Sequence, residues 1–255
     1  MLSQLATTVV PALGRLTTSA DPAAAPAPGI LVANHTSLAD PGIVLAALHR
    51  MGIEPVVLAT AGLWRVPVLR YLLDREGHVP VHRRTGRAAD ALEGAAAALA
   101  AGRHVLVYGE GGIPPRGDAG EAAPGAFRSG PARLAAASGV CIIPVGQAGA
   151  RRVASGSGLK QVAGLLTAPA RRPRFHVHVG APLRLPLDIE AATAAAHRAV
   201  TAAWRTAVEA VEAVGEPVAP TAGYARAQAR PCCPHTHDSP GATAPARCAR
   251  PTSAR

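Results

Sequence analysis

An α/β fold is the class this sequence predicts: a single domain whose mixed, mostly parallel central sheet is flanked by helices. One observation predicts it, and two more set its boundaries and its core. Short apolar runs of strand length alternate with longer stretches of helical composition. Gly102 and Gly139 each follow a helical stretch directly, where a C′ residue belongs. Aromatic residues make up only 3% of the 255 residues, so the core has to be assembled from Leu, Val, Ile and Ala.

Residues 1–28 read as an N-terminal segment and linker. Met1 to Leu16 is apolar but broken by Pro11, which suits a short interfacial helix. It has no charged start and no cleavage site, so a secretory signal is not expected. Thr18 to Pro28, rich in Ala and Pro, reads as the linker. The domain then runs over 29–214. Its strand candidates are Ile30 to Ala33, Val56 to Ala59, Val79 to Val81, Val105 to Tyr108, Cys141 to Val145 and Phe175 to Val179. Helices are expected over Pro41 to Met51, Arg87 to Ala101, Pro131 to Ala137 and Asp188 to Val214, and the alanine tract Ala95 to Ala98 predicts close packing on the sheet. From Gly215 to Arg255, Pro, Ala, Thr, Ser and Arg dominate, which predicts a disordered basic tail.

The net charge of +10 points to anionic partners. Acidic lipids, an acyl-CoA, an acidic carrier protein and nucleic acid all qualify, although the shortage of aromatics argues against single-stranded nucleic acid. Arginine clusters occur at Arg83, Arg84 and Arg87, at Arg151-Arg152, and at Arg171-Arg172-Pro173-Arg174. A solvated surface explains each, and one of them is expected to face lipid headgroups. No run approaches the roughly 20 apolar residues that span a bilayer. Cys141 reads as a small buried residue. Cys232-Cys233, His235, His237 and Cys248 lack zinc-ligand spacing, so no metal is expected.

The chemistry concentrates in Asn34-His35-Thr36-Ser37-Leu38-Ala39-Asp40, which delivers an imidazole and a carboxylate together at the end of the first strand. A neutral imidazole can take the proton of an attacking hydroxyl, and a carboxylate can orient it. The same residues also fit a plain alternative, with Asp40 as the N-cap of a helix that begins at Pro41 and His35 as a loop residue. Other signatures are lacking: there is no Gly-x-Ser-x-Gly elbow, no P-loop and no dinucleotide fingerprint.

Three later segments extend the pattern. Gly77-His78-Val79-Pro80-Val81-His82-Arg83 is a turn, a strand and an arginine. Val105-Leu106-Val107-Tyr108-Gly109-Glu110-Gly111-Gly112 leads across a loop to Phe127-Arg128-Ser129-Gly130. Val140 to Val145 is a strand interrupted by Pro144. In this order the segments resemble the four blocks of the glycerolipid acyltransferases, the family best known from 1-acylglycerol-3-phosphate acyltransferase. The resemblance runs from about Gly29 to Pro182. Asn34, His35 and Asp40 match the first block, Asn-His-x4-Asp, in full. The third block usually reads Pro-Glu-Gly-Thr-Arg, and here Glu110 and Gly111 match while Gly109, Gly112 and Ile113 do not.

The resemblance implies an O-acyltransferase of phospholipid biosynthesis that moves a fatty acyl group from acyl-CoA or acyl carrier protein to a lysophospholipid, first of all 1-acylglycerol-3-phosphate. It implies His35 and Asp40 as the catalytic pair and no cofactor beyond the thioester co-substrate. Asn34, Arg83, Glu110, Gly111, Gly112 and Arg128 then line the acceptor site. Arg83 would hold the acceptor phosphate, and Arg116 would substitute for the block's missing arginine. Backbone N–H groups near Gly111 and Gly112 are the expected oxyanion donors. The expected setting is the inner face of the cell membrane, held peripherally from the cytoplasm. Two alternatives stay open: a different lysolipid or hydroxylated lipid as acceptor, and a non-catalytic lipid-binding relative.

Overall fold

In the computed structural model the described residues are 1–22, 24, 27–82, 88–113, 120–156 and 158–213. They form a seven-stranded sheet between two helical layers. The strands are β1 (Arg15–Ala20), β2 (Ile30–Ala33), β3 (Val56–Thr60), β4 (Val79–Val81), β5 (Val105–Tyr108), β6 (Ile142–Ala148) and β7 (Arg174–Val179), in the order β1-β7-β6-β2-β5-β3-β4. Every pairing is parallel except β6 with β7. The single mixed sheet agrees with the expected class.

β2 lies between β5 and β6 and all four of its residues are buried. That is why it reads as an unbroken apolar run rather than an alternating one. Leu31 and Ala33 face one helical layer, α1 (Leu2–Leu13) with α2 (Asp40–Arg50). Ile30 and Val32 face the other, α4 (Ala88–Ala100), α5 (Gly130–Ser138) and α7 (Ile189–Glu212). The alanine tract of α4 packs as expected, with Ala95 fully buried. α7 presents Ala192, Ala196, Val200, Ala203 and Ala207 on one face, and Gly146 of β6 lets it come close, since a Cβ there would lie 2.1 Å from the Ala203 carbonyl carbon. Gly102 and Gly139 have φ of 74° and 68°, the left-handed geometry their positions predicted.

The linker reading of Thr18 onward needs correction. Residues Thr18 to Ala20 belong to β1, which pairs in parallel with β7 along its whole length. Two helices were not anticipated, α3 (Pro67–Glu76) and α6 (Gly158–Arg171), and β6 runs three residues past the expected Val145. The tail from Gly215, with its Cys and His residues, lies outside the described residues, as do Arg83, Arg84, Arg87 and Arg116. Among the described residues no helix is long and apolar enough to cross a membrane.

Candidate active site

Three adjacent parallel strands deliver the site. Chain leaving the carboxyl ends of β2 and β5 and the last turn of β6 converge at one edge of the sheet, where α/β folds commonly place their ligands. β2 carries Asn34 and His35 just beyond its end. β5 supplies Tyr108 and then Glu110, and β6 supplies Gln147.

The His35–Asp40 pair exists as read from the sequence. His35 Nδ1 lies 2.9 Å from Asp40 Oδ2. The same oxygen accepts the backbone N–H groups of Thr36 at 2.5 Å and Ser37 at 2.8 Å. Asp40 is therefore not the N-cap of α2, which is Ala39. Its carboxylate turns back to hold the loop in front of it, and in doing so fixes the imidazole. With the Nδ1 proton donated to Asp40, Nε2 carries the lone pair. The Asp40 side chain is 0% exposed and that of His35 is 11% exposed, so only the imidazole can meet a substrate.

The Tyr108 ring stacks on the imidazole, with centroids 4.4 Å apart and planes 30° from parallel. Burial, then the charges of Asp40 and Glu110, hold its phenol well above the usual range, so it stays neutral. Glu110 Oε2 accepts the His35 backbone N–H at 3.1 Å. Burial pushes the Glu110 carboxyl up to about 7, Asp40 adds to the rise, and the bond from His35 opposes it. Asp40 Oδ1, Tyr108 Oη, Glu110 Oε1 and Gln147 Oε1 are all buried with no hydrogen-bond partner among the described residues. One such atom costs about 1–3 kcal/mol, and three of the four belong to residues that touch His35.

Two of the expected site residues are engaged within the fold itself. The Asn34 side chain is fully buried, and both ends of its amide are used by Gln147. Nδ2 donates to the Gln147 carbonyl at 3.1 Å and Oδ1 accepts the Gln147 N–H at 2.8 Å, locking β2 to β6. The Gly111 N–H donates to the Tyr108 carbonyl at 3.1 Å in a turn with φ of 67°. Gly112 follows it, partly exposed. Arg128 is exposed at the entry to α5, and its stem lies over that turn, with Cγ 3.0 Å from where a Cβ on Gly111 would stand.

Sequence reasoning missed the residues that brace the loop. Gln147 Nε2 donates to Thr36 Oγ1 at 3.0 Å, and Ser37 Oγ donates to the Ala154 carbonyl at 2.7 Å. Arg151, expected on a solvated surface, is buried and donates to the carbonyls of Gly120 at 2.8 Å and Thr36 at 3.2 Å.

Among curated proteins none matches the chain. The fold is similar to that of the crystal structure of the 1-acyl-sn-glycerophosphate (LPA) acyltransferase, PlsC, from Thermotoga maritima, with a TM-score of 0.61 and 17% identity over 84% of this chain and 80% of that one. The family model described as Acyltransferase matches residues 17–147, from β1 to the strand that holds Asn34, with the imidazole, its carboxylate and Glu110 all inside the match. The chain belongs to the Acyltransferase family.

Proposed function

We propose that this acyltransferase moves a fatty acyl group from an acyl thioester, acyl-CoA or acyl carrier protein, to the hydroxyl of a lysophospholipid, 1-acylglycerol-3-phosphate being the leading acceptor. The observation that carries the reading is the His35 ring, fixed at Nδ1 by Asp40 with Nε2 left to accept a proton. Nε2 takes the hydroxyl proton as the oxygen attacks the thioester carbonyl. Asp40 stabilises the imidazolium that forms. The tetrahedral intermediate collapses with loss of the thiolate, which recovers the proton from His35, so ester and free thiol are the products. No cofactor is required, because the thioester is already activated.

Arg128, over the Gly111 turn, supports recognition of the acceptor phosphate. Arg83 and Arg116 are assigned the same task by resemblance alone. Ile113 stands where the family has arginine, and this favours a second reading in which the acceptor is another lysolipid or a hydroxylated lipid. The work is placed peripherally on the cytoplasmic face of the cell membrane, where a lipid acceptor resides.

The test is transfer of a labelled acyl group from acyl-CoA or acyl carrier protein to a panel of lysolipids. His35→Ala is expected to lower kcat by about two to four orders of magnitude. Equal activity in the variant would remove His35 as the base.

A further inference from the structure

α6 wears its apolar residues on the outside. Leu159, Val162 and Leu166 are 81%, 56% and 75% exposed, whereas the side turned to the protein is Gln161, Gly164 and the buried Ala168. At 100° per residue the three exposed side chains fall within one arc opposite Ala168. Gly164 seats the helix: a Cβ there would come 2.2 Å from the Val153 carbonyl oxygen. A soluble helix places its apolar stripe inward, so an outward stripe is a surface waiting for a partner.

Charge selects the partner. From Ala150 to Arg174 the sequence contains six cations and no acidic residue. Arg151 is buried at the catalytic loop, but Arg152, Lys160, Arg171, Arg172 and Arg174 are exposed. An apolar arc on a helix that also carries Lys160 and Arg171 fits an anionic bilayer, with the leucines among the acyl chains and cations at the phosphates. A second copy of this chain would bring like charges together and oppose the contact.

We infer that α6 lies in the surface of an anionic bilayer and thereby presents the His35 loop to it. The route is short. The segment that leads into α6 accepts a hydrogen bond from Ser37 at the Ala154 carbonyl, and Leu38 beside it is 66% exposed. This deepens the lysolipid reading and rests on it for the role of the contact, while the contact itself is tested by binding alone.

The experiment is co-sedimentation of the full chain with vesicles of phosphatidylcholine, with or without phosphatidylglycerol. It compares wild type, a Leu159→Ser, Val162→Ser, Leu166→Ser triple variant, and Lys160→Glu. Acyl transfer to a short-chain, monomeric lysolipid and the melting temperature are read alongside. The triple variant is expected to bind anionic vesicles at least about tenfold more weakly, with unchanged melting and unchanged transfer to the monomeric acceptor. Lys160→Glu should lose about tenfold on anionic vesicles and little on neutral ones. Undiminished vesicle binding by the triple variant overturns the proposal. So does a wild type that dimerises through this face, or that binds acidic carrier protein there and leaves vesicles alone. If transfer fails with every lysolipid while vesicle binding still depends on α6, the surface stands and the acceptor assignment falls.

Discussion

The Tyr108 ring lies against the His35 imidazole at 4.4 Å, while its own hydroxyl is buried with no partner among the described residues. The two facts separate what the ring does from what the hydroxyl does. Tyr108→Phe keeps the stack and deletes an unpaired polar atom, so it should leave kcat within a few-fold of wild type and raise stability by about 1 kcal/mol. Tyr108→Ala frees the imidazole to tilt, and should lower kcat at least about tenfold with a smaller change in KM. Steady-state kinetics and thermal melts on the two variants check both statements.

Asp40 serves the loop and the imidazole with a single oxygen. Asp40→Asn can still accept from Thr36 and Ser37 through its carbonyl, but it brings no charge to an imidazolium and can hold the wrong tautomer. The expected result is a fold that melts within a few degrees of wild type and a kcat lower by about 100-fold or more. Asp40→Ala should also destabilise, by about 1–3 kcal/mol for each backbone N–H left unpaired. A variant with Asn at full activity would reduce Asp40 to a loop fastener.

Two buried groups give stability opposite dependences on pH. Burial holds His176 down at about 4, with neighbouring His178 adding to the effect, against a usual value of 6.5. Between these values the unfolded chain binds a proton that the folded chain refuses, so stability rises with pH over that window. Glu110 behaves in the reverse sense. Its carboxyl keeps a proton up to about 7 in the fold but ionises near 4.5 when unfolded, so stability falls as pH climbs from about 4.5 to 7. The Glu110 effect is on the order of 3 kcal/mol across its window. Removing one group should expose the other: melting temperature should climb more steeply with pH in Glu110→Gln, and less steeply in His176→Gln, than in wild type. Identical slopes in all three proteins would contradict both assignments.

What was legible in the sequence was what is local or buried on both faces. β2, β4 and β5 have the bounds their apolar runs suggest, and the His35–Asp40 bond spans five residues. β1 was illegible because Arg-Leu-Thr-Thr-Ser-Ala is a polar edge strand with only Leu16 fully turned inward. α6 was not anticipated even though Leu159, Val162 and Leu166 recur at helical spacing, since its Gly, Pro and Arg residues set it among turns. The braces of the site were hidden by distance along the chain: Asn34 and Gln147 are 113 residues apart, and Thr36 and Arg151 are 115. Asn34 closes the sheet behind His35, a role invisible until β6 is set beside β2.

Gly109, where the family usually has proline, is explained by two neighbours. Its N–H donates to the Ala33 carbonyl at 3.0 Å, a bond proline cannot make, and a Cβ at this position would stand 2.3 Å from the Phe127 ring. That ring packs edge-on to His197, with centroids 5.0 Å apart. Gly109→Ala should therefore destabilise by about 1–3 kcal/mol through overpacking. The penalty belongs to the contact and not to the backbone, because Gly109 does not have the positive φ seen at Gly111. In a Phe127→Ala background the same substitution should lose most of its effect, to within roughly 0.5 kcal/mol, and a double-mutant cycle on melting free energies measures the difference. Additive effects would mean that the ring moves freely and that proline is excluded at this position by the Ala33 hydrogen bond alone.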